Sequence, residues 1–171
     1  PMFPDLPKPV LGILARGHPK KRHRFALELW QRLGKPGSLV FAGELPEELR
    51  RDAEREGVLC PGFVEPGPLL RSVDLLLMPS DAEGIPTAML EAMVRGVPCL
   101  ATPVGGIPEL IVHRETGYVL PRGEWEEFLK NANWEEVRQT GERGREHVLK
   151  SFTFERMKRE FVEVAQEAAQ R

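Results

Sequence analysis

Short apolar runs alternate along the chain with segments whose apolar residues recur every three or four positions. Val10 to Ala15 is one such run, and it ends at Arg16-Gly17-His18-Pro19, which predicts a strand followed by a turn. From Lys21 to Leu33 the residues Phe25, Leu27, Leu29, Trp30 and Leu33 follow roughly helical spacing, with Gly34 as a stop. Ser38 to Ala42 reads as a second strand, Pro46 to Glu56 as a charged helix, and Val58 to Cys60 as a third strand closed by Pro61-Gly62. Pro68 to Ser72 has room for one helical turn before the apolar strand Val73 to Met78. Pro86 to Arg95 is predicted helical, because proline suits the first turn of a helix and Gly96 suits the position after its end. A strand at Pro98 to Thr102, a helix at Pro108 to Val112, a strand at Gly117 to Leu120 and helices from about Trp125 onwards complete the pattern.

This alternation predicts an α/β fold: a doubly wound parallel sheet of Rossmann-like type with helices on both faces. Ligands of such sheets bind beyond the carboxyl ends of the strands, where the strand order reverses. The loops after Ala15, Gly62, Met78 and Thr102 are therefore the places to look for chemistry.

The most informative of these runs from Pro79 to Met93. It follows an apolar strand and opens a helix, so the amides around Ile85 to Ala88 point out of a helix N-terminus, an end that attracts anions such as phosphate. Glu83 precedes that end and Glu91 lies inside the helix. Eight residues of helix rise about 12 Å, more than the roughly 5 to 9.5 Å between the two carboxylates of a glycoside hydrolase. Separate roles fit better, such as accepting hydrogen bonds from sugar or ribose hydroxyls. On residues alone, Glu91 could equally pair with Arg95 four positions on, and Glu83 could be a solvated loop residue. The basic cluster Arg16, Lys20, Lys21 and Arg22 follows the first strand at the same sheet edge and could meet phosphate charge.

Composition narrows the field. The chain has 171 residues, a net charge of −2 and 41% hydrophobic residues, which fits one folded domain and argues against a nucleic-acid binder. Its apolar runs are far shorter than the roughly 18 residues of a membrane span. The four aspartates, Asp5, Asp52, Asp74 and Asp81, form no Asp-x-Asp pair, so no hard-cation site is expected. Cys60 and Cys99 sit in apolar stretches without CxxC spacing and read as buried free thiols of a reducing, cytoplasmic compartment. Ser80 lacks a nucleophile elbow, and His18, His23, His113 and His147 read as structural or exposed. No Gly-x-Gly-x-x-Gly or P-loop follows the first strand.

Pro79-Ser80, Glu83-Gly84, Pro86, Leu90-Glu91-Ala92-Met93, Gly96, Pro98, Gly105-Gly106 and Glu109 together resemble the pattern of the glycosyltransferase group 1 family, also called family 4. Pro61-Gly62-Phe63-Val64, Leu69-Leu70 and Asp74 before this stretch, and Gly117 to Leu120 and Phe152-Thr153-Phe154 after it, are similar to the same family. These are retaining enzymes of GT-B fold, in which two Rossmann-like domains face each other across a cleft, and this chain resembles the C-terminal, donor-binding one.

The resemblance implies a nucleotide-diphosphate sugar as donor, with no metal and no further cofactor. It places Glu83 at the catalytic position against the hydroxyls of the transferred sugar and Glu91 on the ribose. Amides near Gly84, Ile85, Thr87 and Ala88 would hold the diphosphate and sugar, backbone near Val64 would meet the base, and Lys21 matches the phosphate-binding lysine. Where the family carries Gly-Arg-Leu, this chain reads Gly12-Ile13-Leu14, so Arg16 and Lys20 stand as candidate substitutes for the arginine. Pro86 removes one amide from the phosphate end. Residues 1–9, with four prolines, read as an interdomain linker remnant, and residues 10–171 as the domain. A partner N-terminal, acceptor-binding domain is then missing from this chain, which alone is expected to bind donor with little turnover. In the longer protein a cytoplasmic or membrane-peripheral location follows. The alternatives are a non-catalytic nucleotide-binding module, or another GT-B enzyme such as a nucleotide-sugar epimerase.

Overall fold

Every predicted strand joins one sheet. β1 (Val10–Leu14), β2 (Ser38–Ala42), β3 (Leu59–Gly62), β4 (Leu75–Met78), β5 (Cys99–Ala101) and β6 (Tyr118–Val119) lie in the order β3-β2-β1-β4-β5-β6, and all neighbours are parallel. The computed structural model describes residues 1–151 and 154–170, so Phe152 and Thr153 of the family pattern lie outside the described residues. Helices connect the strands: α1 (His23–Arg32), α2 (Glu47–Arg55), α3 (Pro66–Leu70), α4 (Thr87–Met93) and α5 (Ile107–Leu110). Three more follow β6: α6 (Trp125–Lys130), α7 (Trp134–Ser151) and α8 (Phe154–Ala169). Among the described residues, no helix is long and apolar enough to cross a membrane.

The uninterrupted apolar character of the strands follows from burial on both faces, as parallel sheets require. In β4, Leu75 and Leu77 enter one layer with Leu11, Ile13, Leu39 and Phe41, under α1 and α6. Leu76 and Met78 enter the other with Val10, Val40 and Ala101, under α3, α4 and α5. Residues 2–9 lie against this second layer: the amides of Met2 and Phe3 bond the Pro68 carbonyl and the Ser72 hydroxyl, each at 2.8 Å, and Phe3 and Leu6 pack on the core.

Several element boundaries differ from the periodicity, each for a local reason. The first helix starts at His23 and not at Lys21, because Pro19–Lys21 forms a 3-10 turn and Arg22 adopts a left-handed φ of 58°. Lys21 is thereby left in a turn at the sheet edge. β4 begins at Leu75, since the Asp74 carboxylate accepts the Val10 amide at 2.7 Å and closes the ladder at its amino end. α4 begins at Thr87, with the extended Pro86 as its cap. β3 extends to Gly62, whose carbonyl accepts the Gly43 amide at 2.8 Å. Cys60 is half-buried and not enclosed, while Cys99 is buried; both are free.

α7 carries two glycines in its interior for a packing reason. A Cβ at Gly141 would run into the Gly96 carbonyl and lie 2.7 Å from Pro98 Cδ, and one at Gly144 would lie 2.6 Å from the Thr116 carbonyl. Helix propensity alone would favour alanine by about 1 kcal/mol, but overpacking against fixed backbone costs about 1–3 kcal/mol. Gly141→Ala should therefore lower the urea unfolding midpoint, and an unchanged or raised midpoint would contradict this packing of α7.

Candidate functional site

The strand order reverses between β1 and β4, whose following helices cross to opposite sides of the sheet. At their carboxyl ends lies a cavity of about 400 Å³. Ala15, Arg16, His18 and Lys21 line it from the loop after β1, and Ser80, Glu83, Ile85, Pro86, Thr87 and Ala88 from the segment after β4. An adjoining depression shares Lys21 and Glu83 and adds Lys20 and Gly84.

Glu83 is the centre of the site. Its Oε1 accepts from Lys21 Nζ at 2.7 Å and from Ser80 Oγ at 2.6 Å, and only 7% of its side chain is exposed against 31% for Lys21. A carboxylate this buried is tolerable only when paired and hydrogen-bonded, and here it is both. The loop that carries it is tied down at Pro79, Ser80 and Asp81. Thr102 Oγ1 donates to the Ser80 carbonyl at 2.5 Å, and Arg122 Nη1 donates to the Pro79 carbonyl at 2.9 Å. The Asp81 carboxylate sits between Arg22 and Arg122, at 2.8 Å from each, and these hydrogen bonds, Arg22's foremost, hold its carboxyl below the usual carboxylate range. The Asp81 amide donates to the Lys20 carbonyl at 2.8 Å, which joins the two loops directly.

Gly105-Gly106 supports the loop from the next strand. Gly105 has a φ of +55° and packs so closely on Glu83 that any Cβ would occupy the place of the Glu83 carbonyl, while the Gly106 amide donates to the Gly84 carbonyl at 3.3 Å. Gly105 is thus a physical requirement of the Glu83 position, while Gly106 contributes through its amide.

Beyond the loop, α4 presents its first turn to the cavity. The amides of Thr87, Ala88 and Met89 precede the first intrahelical bond, from Leu90 to the Pro86 carbonyl, so they remain free for an anion. Pro86 contributes no N–H. Ile85 lies before the helix and not within it.

The structure brings Arg16, Lys21, Glu83, Ile85, Thr87 and Ala88 around one cavity. Lys20 and Gly84 border the depression beside it. Val64 and Glu91 do not line the cavity: Val64 packs half-buried against the core, and Glu91 is half-buried in the second turn of α4. The alternative of a Glu91–Arg95 surface ion pair is not what forms: Arg95 Nη1 donates to the Glu91 backbone carbonyl at 2.8 Å. The roles of Ser80, Asp81, Thr102 and Arg122 escaped the sequence reading, since they depend on which loops become neighbours. Among the described residues no group of three His, Cys, Asp or Glu side chains is placed to hold a metal ion.

Residues 8–134 match a family model described as glycosyl transferases group 1. The chain is 42% identical over 94 residues to the N-acetyl-alpha-D-glucosaminyl L-malate synthase of Bacillus anthracis, a stretch covering 52% of this chain and 25% of that protein. It spans about a quarter of the length of the first curated relatives it matches. The crystal structure of the C-terminal domain of a glycosyl transferase group 1 family protein, LpcC from Francisella tularensis, has the same fold, with a TM-score of 0.73, 21% identity and coverage of 87% of this chain and 88% of that one. Anabaena HepE in complex with UDP-glucose gives a TM-score of 0.76 at 21% identity, covering 92% of this chain and 48% of that one.

Directly after the Lys21 turn, His23 is 2% exposed and packs edge-on against Phe41, with ring centroids 5.1 Å apart. Neither ring nitrogen makes a well-formed hydrogen bond among the described residues, the Ala15 backbone offering only a weak one. Burial pushes its pKa down to about 4, with the Ala15 backbone pulling it up and the Lys21 charge pushing it further down. The unfolded chain therefore takes up this proton near the ordinary pH of about 6.5 while the folded chain resists it. The contribution is complete above that pH and is lost as the pH falls towards 4. Between pH 7 and pH 4.5, His23→Leu should lose about 2 to 3 kcal/mol less stability than the parent in urea unfolding. Equal losses would contradict a buried neutral imidazole.

Proposed function

Because the chain belongs to the glycosyl transferases group 1 family, we propose that it is the donor-binding domain of a retaining glycosyltransferase that uses a nucleotide-diphosphate sugar without a metal ion or cofactor. The observation that carries this reading is the buried Glu83 carboxylate, set beside Lys21 and the free first turn of α4 at the reversal of strand order.

Each part has a chemical task. The free amides of α4 and the Lys21 ammonium meet the diphosphate, and their charge stabilises it as it leaves, the electrostatic contribution that often dominates such catalysis. Arg16, which lines the cavity, stands in for the arginine that Ile13 replaces better than Lys20, which lies to one side. Glu83 accepts from sugar hydroxyls, and its Oε2 is the oxygen not engaged by Lys21 or Ser80. Outside the cavity itself, Glu91 in the second turn of α4 accepts from the ribose of a donor that extends past the phosphates, and backbone near Val64 meets the base. Retention requires the acceptor oxygen to arrive on the face from which the diphosphate departs, and a separate N-terminal domain brings it there. The two free thiols, Cys60 and Cys99, fit a reducing, cytoplasmic location. The HepE complex makes uridine nucleotides the first to try.

Calorimetric titration of UDP, GDP, ADP and UDP-glucose into the chain, in the presence of EDTA, tests this reading. At least one should bind, and Glu91→Ala should weaken it by about tenfold, the loss of a hydrogen bond to a charged group. No binding at millimolar concentration by the folded protein would overturn the donor-site reading, and unchanged affinity in Glu91→Ala would remove the ribose role.

A further inference from the structure

Lys21 and Glu83 are each given to a different part of the donor in the reading above, yet in the free protein they are bonded to each other at 2.7 Å. The Lys21 ammonium has three N–H donors, so a diphosphate that engages it either shares it with Glu83 or draws it away. Resting on the donor-binding reading, we propose that Glu83 is an internal competitor of the phosphates for Lys21, and that this competition makes the site favour an intact nucleotide sugar over the nucleoside diphosphate left after transfer.

When Lys21 turns to a phosphate, Glu83 loses its only charged donor among the described residues. With 7% of its side chain exposed, water cannot replace that donor fully, and a buried carboxylate left short of partners is costly. Glu83 cannot follow Lys21 outwards. Ser80 holds Oε1 at 2.6 Å, Ser80 is itself buried and fixed through Thr102, and the Glu83 backbone is pressed against Gly105. The carboxylate therefore waits in place for new hydrogen-bond donors. Sugar hydroxyls are such donors, and a nucleotide sugar restores what it displaced. A nucleoside diphosphate brings phosphates that take Lys21 and nothing that satisfies Glu83. The cost of opening the pair falls on the spent product alone.

Glu83→Gln keeps an acceptor oxygen near Lys21 and Ser80 but removes the charge that competes. Calorimetry with inorganic pyrophosphate, UDP and UDP-glucose on the full chain, its Glu83→Gln and Lys21→Ala variants and the double variant tests the proposal. Pyrophosphate and UDP should bind Glu83→Gln about tenfold or more tighter than the parent, the low end of the coupling seen for close charge pairs. On the Lys21→Ala background the same change should give little gain, and the ratio of UDP to UDP-glucose dissociation constants should fall in Glu83→Gln. A pyrophosphate affinity that is equal or lower in Glu83→Gln, or a gain of the same size without Lys21, overturns the competition. So does the absence of pyrophosphate binding by every variant. An unchanged UDP to UDP-glucose ratio overturns the discrimination. Pyrophosphate tightening in Glu83→Gln, with neither nucleotide binding any variant, would leave the competition standing and overturn the donor-binding reading instead.

Discussion

A carboxylate buried at the edge of a parallel sheet has to be met by donors, and Glu83 is met from both sides of the point where the strand order reverses. Lys21 comes from the turn after β1 and Ser80 from the loop after β4. Much of the surrounding structure can be understood as holding these three groups together. Thr102 fixes the Ser80 carbonyl, Arg22 and Arg122 grip Asp81 between them, and Gly105 yields its side chain so that the Glu83 backbone can lie against it. The left-handed Arg22 ends the 3-10 turn before α1 and so keeps Lys21 out of the helix.

The electrostatics of the site follow from that arrangement. Helix α4 offers free amides in its first turn, and the nearby cations Lys21 and Arg16 add formal positive charge, while Glu83 subtracts one. The cavity is thus suited to an anion without being a bare cationic patch. Its acceptor is already present for whatever hydroxyls the anion carries. Most ion pairs elsewhere, such as Arg50–Glu54 and Arg138–Glu135, are exposed helix-surface pairs of small consequence.

How much of this was legible in the chain depended on whether the signal was local. The alternation of apolar runs and helical spacing conveyed the doubly wound sheet, because burial on both faces leaves its mark on every strand. Glu83, Lys21, Ile85, Thr87 and Ala88 were readable as candidates, since each sits just past the carboxyl end of an apolar strand. Gly105-Gly106 could be matched to a family pattern, yet its reason, contact with the Glu83 and Gly84 backbone, needs β4 and β5 to be neighbours. The bonds from Thr102 to the Ser80 carbonyl and from Arg122 to the Pro79 carbonyl stayed hidden for the same cause, spanning 22 and 43 residues. The Lys21–Glu83 bond spans 62 residues and could not be inferred from either motif alone. Val64 and Glu91 lie beyond the cavity's lining, so their proposed contacts rest on the family pattern and not on a contact within that cavity.

An anionic donor held at the start of α4 and by Lys21, at the strand-order reversal, is what the proposed function requires. Amide chemical-shift mapping of the labelled chain during titration with UDP tests it most directly. The account predicts that the largest shifts fall on Thr87, Ala88 and Met89 and on the turn around Lys21, with the far edge of the sheet near Gly96 and Trp134 unmoved. Shifts centred on that far edge, with the first turn of α4 silent, would contradict it.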